Sequence, residues 1–389
     1  MQNVLFVESG VHEGGSFMSL VKHIEALDKT KTKPVIVFFN DNKWIKIFKE
    51  KGYDVYLIQD VVFSKNNSKI HLILNSFFMK GFIKWKVISF LKWLHKSSIK
   101  EIESIIVKHD ISYVHLNTEL FRDRIGLIAA VNSGVPVVSH LRSKYELGKI
   151  HFSKQYIAFA NQNISKYIAV SEDTASFWVK HVKVDEQKIQ VLYDYFEPIA
   201  SKDIFNSNIY DYDGIKIVCV ANLVPVKGHQ FLLESCAPVL KELNAKLFLV
   251  GRGEDEYIQS LKTVAKKLDI VDKIQLIGYT DKVDDYLLQS DVVLLFSIRE
   301  GLPNIIIEGL GAGAIIIATN VGGIPEIIDD KKNGFLVTYG DSNAASQIIR
   351  DVLMLKKESR KVVVDNAGET IHNKFSKKNY SEIISKIYE

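Results

Sequence analysis

Short apolar runs alternate with amphipathic segments along the chain, and this alternation limits the possible folds more than any other feature. Six runs rich in β-branched residues occur in the first half: Asn3–Val7, Pro34–Phe39, Asp54–Ile58, Tyr113–Leu116, Val135–His140 and Tyr167–Val170. The segments between them carry apolar residues at helical spacing. Continuous apolar strands separated by helices are typical of parallel sheets covered on both faces. The sequence therefore predicts an α/β fold.

The alternation stops in a polar segment, 194–214, and then restarts. Five more runs follow: Ile215–Val220, Ala245–Val250, Lys273–Ile277, Asp291–Phe296 and Ala314–Ala318. The chain has 389 residues, about twice the usual size of one domain. We predict a first domain over 1–198, a second over 199–372, and a C-terminal helix over 373–389 that packs back on the first. Parallel sheets bind ligands beyond the carboxyl ends of their strands, so we expect a site in a cleft between the domains.

Composition excludes several classes of protein. The net charge of +4 is far from the basic balance of a dedicated nucleic-acid binder. Cys219 and Cys236 form no CxxC spacing, which argues against a zinc site or a disulfide framework and fits a reducing cytoplasm. No run approaches the roughly 18 apolar residues that a membrane span requires. We therefore expect a cytoplasmic protein with at most peripheral membrane contact.

The stretch Phe296–Ile328 carries the most chemical information. A predicted strand ends at Phe296, and a turn with Glu300 follows it. Pro303 then lies in the first turn of a predicted helix, and Glu308 lies further along that helix. Free amides at a helix start can hold a phosphate, and carboxylates accept hydrogen bonds from sugar hydroxyls. Alone, two such glutamates are more often a helix-dipole partner and a solvated helix residue.

The surrounding residues favour the functional interpretation. The segment EGLPNIIIEGLGAGAIIIATNVGGIPEII resembles the Glu-x7-Glu signature of retaining glycosyltransferases of family 4, also called group 1. The resemblance extends more loosely over the whole chain. It implies the GT-B architecture, in which two Rossmann-like domains face a central cleft. It also implies a nucleotide-sugar donor, a glycan or lipid-linked glycan acceptor, and no metal or other cofactor.

The resemblance assigns donor-side roles in the second domain. It places Glu308 on the ribose hydroxyls and Glu300 on the donor sugar. Lys227, in VANLVPVKG, matches the phosphate-binding lysine of the family and would stabilise the leaving diphosphate. The alternative for Lys227 is a solvated lysine at a helix start. The backbone beside the donor sugar would come from Gly301, Leu302, Pro303, Asn304 and Ile305.

One position departs from the family pattern. The family usually has an arginine near the position of Asn222, and this chain does not. Part of the missing positive charge would then come from Arg252, in LVGRGED, or from Arg142. Arg142 is also a candidate for contact with a phosphate or with the acceptor.

In the first domain, Gly14 and Gly15 resemble the family's glycine-rich loop near the donor. Glycine permits close backbone approach to a phosphate or sugar. His140, at the end of VPVVSH, resembles the strand-terminal histidine at the donor sugar, and its alternative is an ordinary, fully hydrogen-bonded histidine. Ser171 and Glu172 also match the family but could be a helix N-cap and a first-turn acid.

The triplet Asp211–Asp213 looks like the metal-binding DxD of the other large glycosyltransferase fold. It precedes a strand inside the polar segment, whereas a metal site would follow a strand. We therefore assign the triplet to a linker turn and expect no bound metal.

A basic and aromatic segment, 61–100, has eight lysines, seven aromatic residues and no acidic residue. If it forms an amphipathic helix, this segment suits an anionic membrane surface. We expect that surface to be the inner face of the cell membrane, near a lipid-linked acceptor. The alternative is a helix that packs on its own domain with a solvated lysine face. The charge of residues 1–200, with 27 basic against 20 acidic side chains, favours the membrane.

The resemblance favours a retaining transferase that uses a UDP-sugar and serves bacterial surface polysaccharide or glycoconjugate synthesis. Two other functions stay open at this point. A nucleotide-sugar epimerase of similar shape would convert the donor without an acceptor. A non-catalytic subunit, suggested by Asn222, would bind a nucleotide sugar or a partner transferase.

Overall fold

The computed structural model describes residues 1–9, 15–60, 87–118, 120–144, 154–197 and 209–388. The chain forms two compact units. The first comprises Met1–Asp194 together with Tyr380–Glu389, and the second comprises Tyr195–Asn379. The predicted boundary between residues 198 and 199 lies outside the described residues.

The first unit contains a seven-stranded parallel sheet. Its strands are β1 (Gln2–Glu8), β2 (Thr32–Phe38), β3 (Asp54–Leu57), β4 (Ile111–Leu116), β5 (Val137–Leu141), β6 (Ile164–Ala169) and β7 (Ile189–Val191). Their order across the sheet is β3-β2-β1-β4-β5-β6-β7. The direction of strand addition therefore reverses between β1 and β4, and that edge is where doubly wound sheets bind ligands.

Helices connect the strands of the first unit. They are α1 (Gly15–Ala26), α2 (Lys43–Glu50), α3 (Lys96–Lys108), α4 (Arg124–Ser133), α5 (Lys154–Asn163) and α6 (Glu172–Phe177). Apolar residues Val4 to Val7 in β1 are completely buried, as expected for a strand with helices on both faces. The core of this unit contains a fully buried Trp178, whose indole N–H donates to the Ser143 carbonyl at 3.0 Å.

The second unit has a six-stranded parallel sheet of the same kind. Its strands are β8 (Ile215–Val220), β9 (Ala245–Val250), β10 (Ile274–Gly278), β11 (Val292–Leu295), β12 (Ile315–Thr319) and β13 (Phe335–Val337). Their order is β10-β9-β8-β11-β12-β13, so the reversal lies between β8 and β11.

The helices of the second unit begin with α7 and continue to the C-terminal region. They are α7 (His229–Glu242), α8 (Asp255–Lys267), α9 (Val283–Leu288), α10 (Asn304–Gly311), α11 (Ile324–Ile327), α12 (Ser342–Leu353) and α13 (Lys357–Lys374). A last helix, α14 (Lys377–Ser385), begins in the second unit and continues into the residues that belong to the first. No helix in the described ranges is long and apolar enough to cross a membrane.

The eleven predicted strands all exist, and the sheets contain two more. β7 and β13 have only three residues each, which is too few for the apolar pattern of a strand to be recognised in the sequence. The polar segment predicted to contain the linker is ordered at both of its described ends, and the boundary between the two units falls within it. Phe196 donates its backbone N–H to the Phe375 carbonyl at 2.8 Å, and Tyr210 is 2% exposed.

Candidate functional site

In the second unit, the loops after β8 and β11 leave neighbouring strands at the reversal of the sheet. Lys227 lies on a single 3-10 turn, Pro225–Lys227, after β8. Glu300 follows β11. The two side chains meet, with Lys227 Nζ 2.6 Å from Glu300 Oε1. Two functional residues predicted from separate motifs are thus brought together by the sheet topology.

The surroundings of Glu300 fix its carboxylate. Ser297 Oγ donates to the same Oε1 at 2.6 Å, and the Ser297 carbonyl accepts from Thr319 Oγ1 at 2.6 Å. Among the described residues, no donor contacts Glu300 Oε2. The Glu300 side chain is 9% exposed and that of Lys227 is 26% exposed, so the pair is partly screened from water and still reachable. Its position at a strand end suits binding of a polar ligand.

Two glycines allow the loops at this edge to approach each other closely. A Cβ at Gly228, where φ is +64°, would lie 2.0 Å from the Phe296 carbonyl oxygen. A Cβ at Gly322, where φ is +61°, would lie 2.1 Å from the Glu300 carbonyl oxygen. Any other residue at these positions would push the loops apart. The glycines therefore keep the Lys227 and Glu300 loops in their places.

Helix α10 begins at Asn304, and Pro303 is its N-cap rather than a residue of its first turn. The prediction for Pro303 was therefore wrong by one position. Proline at the N-cap makes no side-chain hydrogen bond to the first amides of the helix. Glu308 lies half-buried one turn into the helix, while Ile306 and Ile307 anchor the opposite face in the core. Glu308 therefore lies on the helix that follows the Glu300 turn, as the sequence predicted.

The other predicted donor-side residues lie around this helix start or just after β8 and β9. Gly301, Leu302 and Ile305 are half-buried, and the Gly301 carbonyl accepts from the Gly323 N–H at 2.8 Å. Asn222 is exposed. Arg252 is also exposed, and its guanidinium lies 5.2 Å from the centre of the Tyr279 ring.

In the first unit, the corresponding reversal lies between β1 and β4 and is strongly polar. Glu8, at the end of β1, accepts from the Asn117 side-chain amide and from Thr118 Oγ1, the latter at 2.5 Å. Asp123 accepts from Ser9 Oγ and from the Thr118 N–H at 2.7 Å. All five side chains are buried. The sequence analysis did not identify this network, because each residue alone is an unremarkable strand-end polar group.

Arg142 is held against this network rather than extended into solvent. Its Nε donates to the Asn117 carbonyl and its Nη2 donates to Asn117 Oδ1, both at 2.8 Å. Its Nη1 lies 3.8 Å from Asp194 Oδ2, and Asp194 also accepts from Ser19 Oγ. The Arg142 side chain is 9% exposed. These contacts fix the guanidinium beside the strand ends.

His140 lies inside β5, which runs one residue further than predicted, and it is completely buried. Its Nδ1 is 2.7 Å from His115 Nε2. Its Nε2 has no hydrogen-bond partner among the described residues. Burial, and next the positive charge of Arg142, hold the pKa of His140 well below its usual value. The imidazole is therefore neutral at physiological pH.

His115, which contacts the candidate residue His140, was missed by the sequence analysis, although a signal was present. Strands β4 and β5 both end in His-Leu. His115 pairs in register with Val138, two residues before His140, so the two histidines share one face of the sheet. A repeated polar residue at the ends of adjacent buried strands was the available clue.

The remaining predicted positions have simpler environments. Gly14 lies outside the described residues, and Gly15 is the first residue of α1, with open space around its Cα. Ser171 is the N-cap of α6, and its Oγ accepts from the Thr174 N–H at 3.1 Å, with Glu172 in the first turn.

The possible metal triplet and the basic segment are partly described. Asp211–Asp213 lies in a turn before β8, where Asp211 has a φ of +44°. No group of three potential metal ligands occurs among the residues that the structure describes. Within the basic segment, 61–86 lies outside the described residues. Residues 87–94 are helical, with Phe90 buried and Trp93 71% exposed.

Comparison with known proteins gives the family. Residues 201–370 match the family model described as glycosyl transferases group 1, and this range contains the Lys227–Glu300 pair and Glu308. Residues 201–370, which lie in the second unit, therefore belong to the group 1 glycosyl transferase family.

Two curated proteins show how far the similarity of this chain extends. The N-acetyl-alpha-D-glucosaminyl L-malate synthase of Bacillus anthracis is 33% identical over 160 residues, which cover 41% of each chain. The UDP-Gal:alpha-D-GlcNAc-diphosphoundecaprenol alpha-1,3-galactosyltransferase of Escherichia coli is 24% identical over 300 residues, or 69% of this chain and 76% of its own. The match thus spans less than half of the first relative's length.

Comparison with solved structures shows the fold of this chain. The crystal structure of Anabaena Alr3699/HepE in complex with UDP and glucose has a TM-score of 0.80, at 18% identity, over 100% of this chain and 99% of that one. The two parallel-sheet α/β units therefore have the GT-B fold, as the sequence resemblance implied.

Proposed function

We propose that this protein transfers a sugar, with retention of anomeric configuration, from a UDP-sugar to a glycan or lipid-linked glycan acceptor. The observation that carries the proposal is the contact between Lys227 and Glu300 at the reversal of the second sheet, beside the start of α10. This edge combines a cation for a diphosphate, helix amides for a phosphate, and carboxylates for hydroxyls.

In the proposed complex, the nucleotide lies on the second unit. The backbone at the start of α10, together with Lys227, binds the diphosphate, and Glu308 accepts hydrogen bonds from the ribose hydroxyls. Glu300 offers Oε2 to the donor sugar, because Oε1 already accepts from Lys227 and Ser297. Arg252, which is exposed at the end of β9, supplies further positive charge in place of the arginine that the family usually has near Asn222.

The proposed reaction replaces one glycosidic bond with another. The bond between the anomeric carbon and the phosphate oxygen breaks, and a bond to the acceptor oxygen forms on the same face of the sugar. The acceptor proton moves to the departing phosphate oxygen. Lys227 stabilises the negative charge that grows on the diphosphate. No metal enters this scheme.

The proposal is tested by incubating the purified protein with radiolabelled nucleotide sugars and a bacterial membrane lipid extract. Label in the lipid fraction supports a transferase. A converted free nucleotide sugar without lipid label would show an epimerase instead, and binding without either product would show a non-catalytic subunit.

We predict that Glu308→Gln weakens UDP binding by about tenfold, because the carboxylate accepts from ribose hydroxyls and charged hydrogen bonds contribute about 1.5–3 kcal/mol. Isothermal titration calorimetry with UDP measures the change. Glu256→Gln, on the exposed side of α8, is the matched control and should bind as the wild type does. Equal affinity in both variants would remove Glu308 from the nucleotide site.

We further propose that the basic segment, 61–100, contacts anionic lipid near a lipid-linked acceptor. The exposed Trp93 and the lysine-rich composition support this, and the name of the Escherichia coli relative includes a diphosphoundecaprenol. We predict flotation with vesicles that contain anionic lipid, and loss of flotation when Lys80, Lys84, Lys92 and Lys96 are changed to Gln. Flotation that ignores salt and lipid charge would contradict the proposal.

A further inference from the structure

Three histidines and two tyrosines of the first unit form one continuous series of hydrogen bonds. Tyr380 Oη lies 2.8 Å from His23 Nδ1, and His23 Nε2 lies 2.8 Å from Tyr388 Oη. Tyr388 Oη lies 2.6 Å from His115 Nδ1, and His115 Nε2 lies 2.7 Å from His140 Nδ1. We call these five residues the histidine–tyrosine chain. It ends at His140 Nε2, which is buried and has no hydrogen-bond partner among the described residues.

The members of this chain are all buried, at 2% exposure or less. Burial lowers the pKa of His23 to about 3 and holds the pKa of His115 well below its usual value. Nearby Arg142 acts in the same direction, and Asp194 only partly opposes it at His23. Burial also raises the pKa of Tyr388 well above its usual value. The three histidines and Tyr388 therefore each carry one proton that can take part in a hydrogen bond.

The single hydroxyl proton of Tyr388 allows only two arrangements of the chain. If Tyr388 donates to His115 Nδ1, then His115 donates from Nε2 to His140 Nδ1, and His140 carries its proton on Nε2. If Tyr388 donates to His23 instead, every bond reverses and His140 Nε2 holds a lone pair. In each arrangement all three imidazoles share the same tautomer.

Arg142 distinguishes the two arrangements. Its Nη2 lies 3.5 Å from His140 Nδ1, and a guanidinium has only N–H groups to present. An N–H on His140 Nδ1 would face this positive charge, whereas a lone pair there is attracted to it. Arg142 cannot easily move away, because Asn117 accepts two hydrogen bonds from it. The charge therefore favours the arrangement with the proton on His140 Nε2.

We propose that the histidine–tyrosine chain holds His140 as a neutral Nε2–H donor, which gives a hydrogen bond to an oxygen of the sugar substrate. Tyr388, His115 and His23 are then positioning residues, since they act on the substrate through His140. The C-terminal residues that contain Tyr380 and Tyr388 thus determine the protonation of a residue on β5. The substrate contact rests on the proposed transferase function, while the tautomer does not.

Nuclear magnetic resonance of the protein with 15N-labelled histidine tests the tautomer in the wild type. An N–H···N hydrogen bond gives a coupling between its two nitrogens, which identifies the His115–His140 pair without any substitution. We expect the proton on His115 Nε2 and a second proton on His140 Nε2. A proton on His140 Nδ1 would overturn the proposal, whether or not the protein transfers sugar.

Tyr388→Phe tests the positioning role, because it removes only the hydroxyl at the centre of the chain. We expect the preference for His140 Nε2–H to be lost and kcat to fall by about tenfold with little change in KM. Tyr113→Phe is the matched control, since the Tyr113 ring packs 5.7 Å from that of Tyr388 without entering the chain. A Tyr388→Phe protein with wild-type tautomers and kcat would show that the chain is only structural. A wild type with the expected tautomer but no transferase activity would refute the proposed function and leave the tautomer intact.

Discussion

Lys227→Met should lower kcat by about 100- to 1,000-fold while the protein stays folded. Methionine keeps most of the side-chain length and removes the charge. Lys227 is proposed to stabilise the diphosphate as it departs, so the loss falls mainly on the transition state and on kcat rather than on KM. Steady-state kinetics over a range of UDP-sugar concentrations separates the two parameters.

The contact with Glu300 makes a purely structural role for Lys227 the main rival explanation. In Lys227→Met, Ser297 still donates to Glu300 Oε1, so the carboxylate keeps one of its two partners. Thermal unfolding should therefore shift by only a few degrees. Lys241→Ala, on an exposed position of α7, is the control and should leave kcat unchanged. A folded Lys227→Met protein with wild-type kcat would contradict the proposed role of the lysine.

Acid should unfold the first unit steeply, because it buries three neutral histidines. His23, His115 and His140 have pKa values below their value of about 6.5 in the unfolded chain. The unfolded state therefore binds more protons, and stability that is complete above about pH 6.5 is lost as the pH falls below it. Each histidine lowers the free energy of unfolding by about 1.4 kcal/mol per pH unit, so the three together lower it by about 4 kcal/mol per pH unit.

The charged and titratable groups around these histidines do not cancel the effect. Arg142 lowers their pKa values further, and only Asp194 raises that of His23. His95, in the same unit, also has a lowered pKa through burial, which adds to the slope. We expect the first unit to lose about 6 kcal/mol by pH 5, a large share of the 5–15 kcal/mol that is typical of a folded domain.

Urea unfolding followed by tryptophan fluorescence measures this loss selectively. All four tryptophans of the chain lie within residues 44–178, so their emission reports on the first unit. Between pH 6 and pH 4.5, the unfolding free energy should fall at the rate expected when unfolding takes up about three protons. His115→Asn should reduce the slope by about one proton, whereas His181→Gln, at an exposed position, should leave it unchanged. A wild-type slope below two protons would contradict the prediction.

The sequence determined the α/β class, because buried parallel strands are read from local runs of apolar residues. It also placed Glu300 after a strand and Glu308 on the next helix, since both belong to one continuous motif, while their donor-side roles stay a prediction. Ile215–Val220 and Ala245–Val250 were predicted at their observed bounds. Helix starts were less certain, as Pro303 shows, because the N-cap and the first helical residue have similar local patterns.

Only the tertiary structure decided which of these residues meet. Lys227 and Glu300 are 73 positions apart, and their contact depends on the adjacency of β8 and β11 in the sheet. His23 and Tyr380 are 357 positions apart, and His115 and Tyr388 are 273 apart. Local periodicity contains no information on such pairs, because strand order and the return of the C-terminal helix arise from packing of the whole chain. The sequence alone therefore determined the α/β architecture, whereas packing decided which candidate residues meet and, through burial, lowered the pKa of His140.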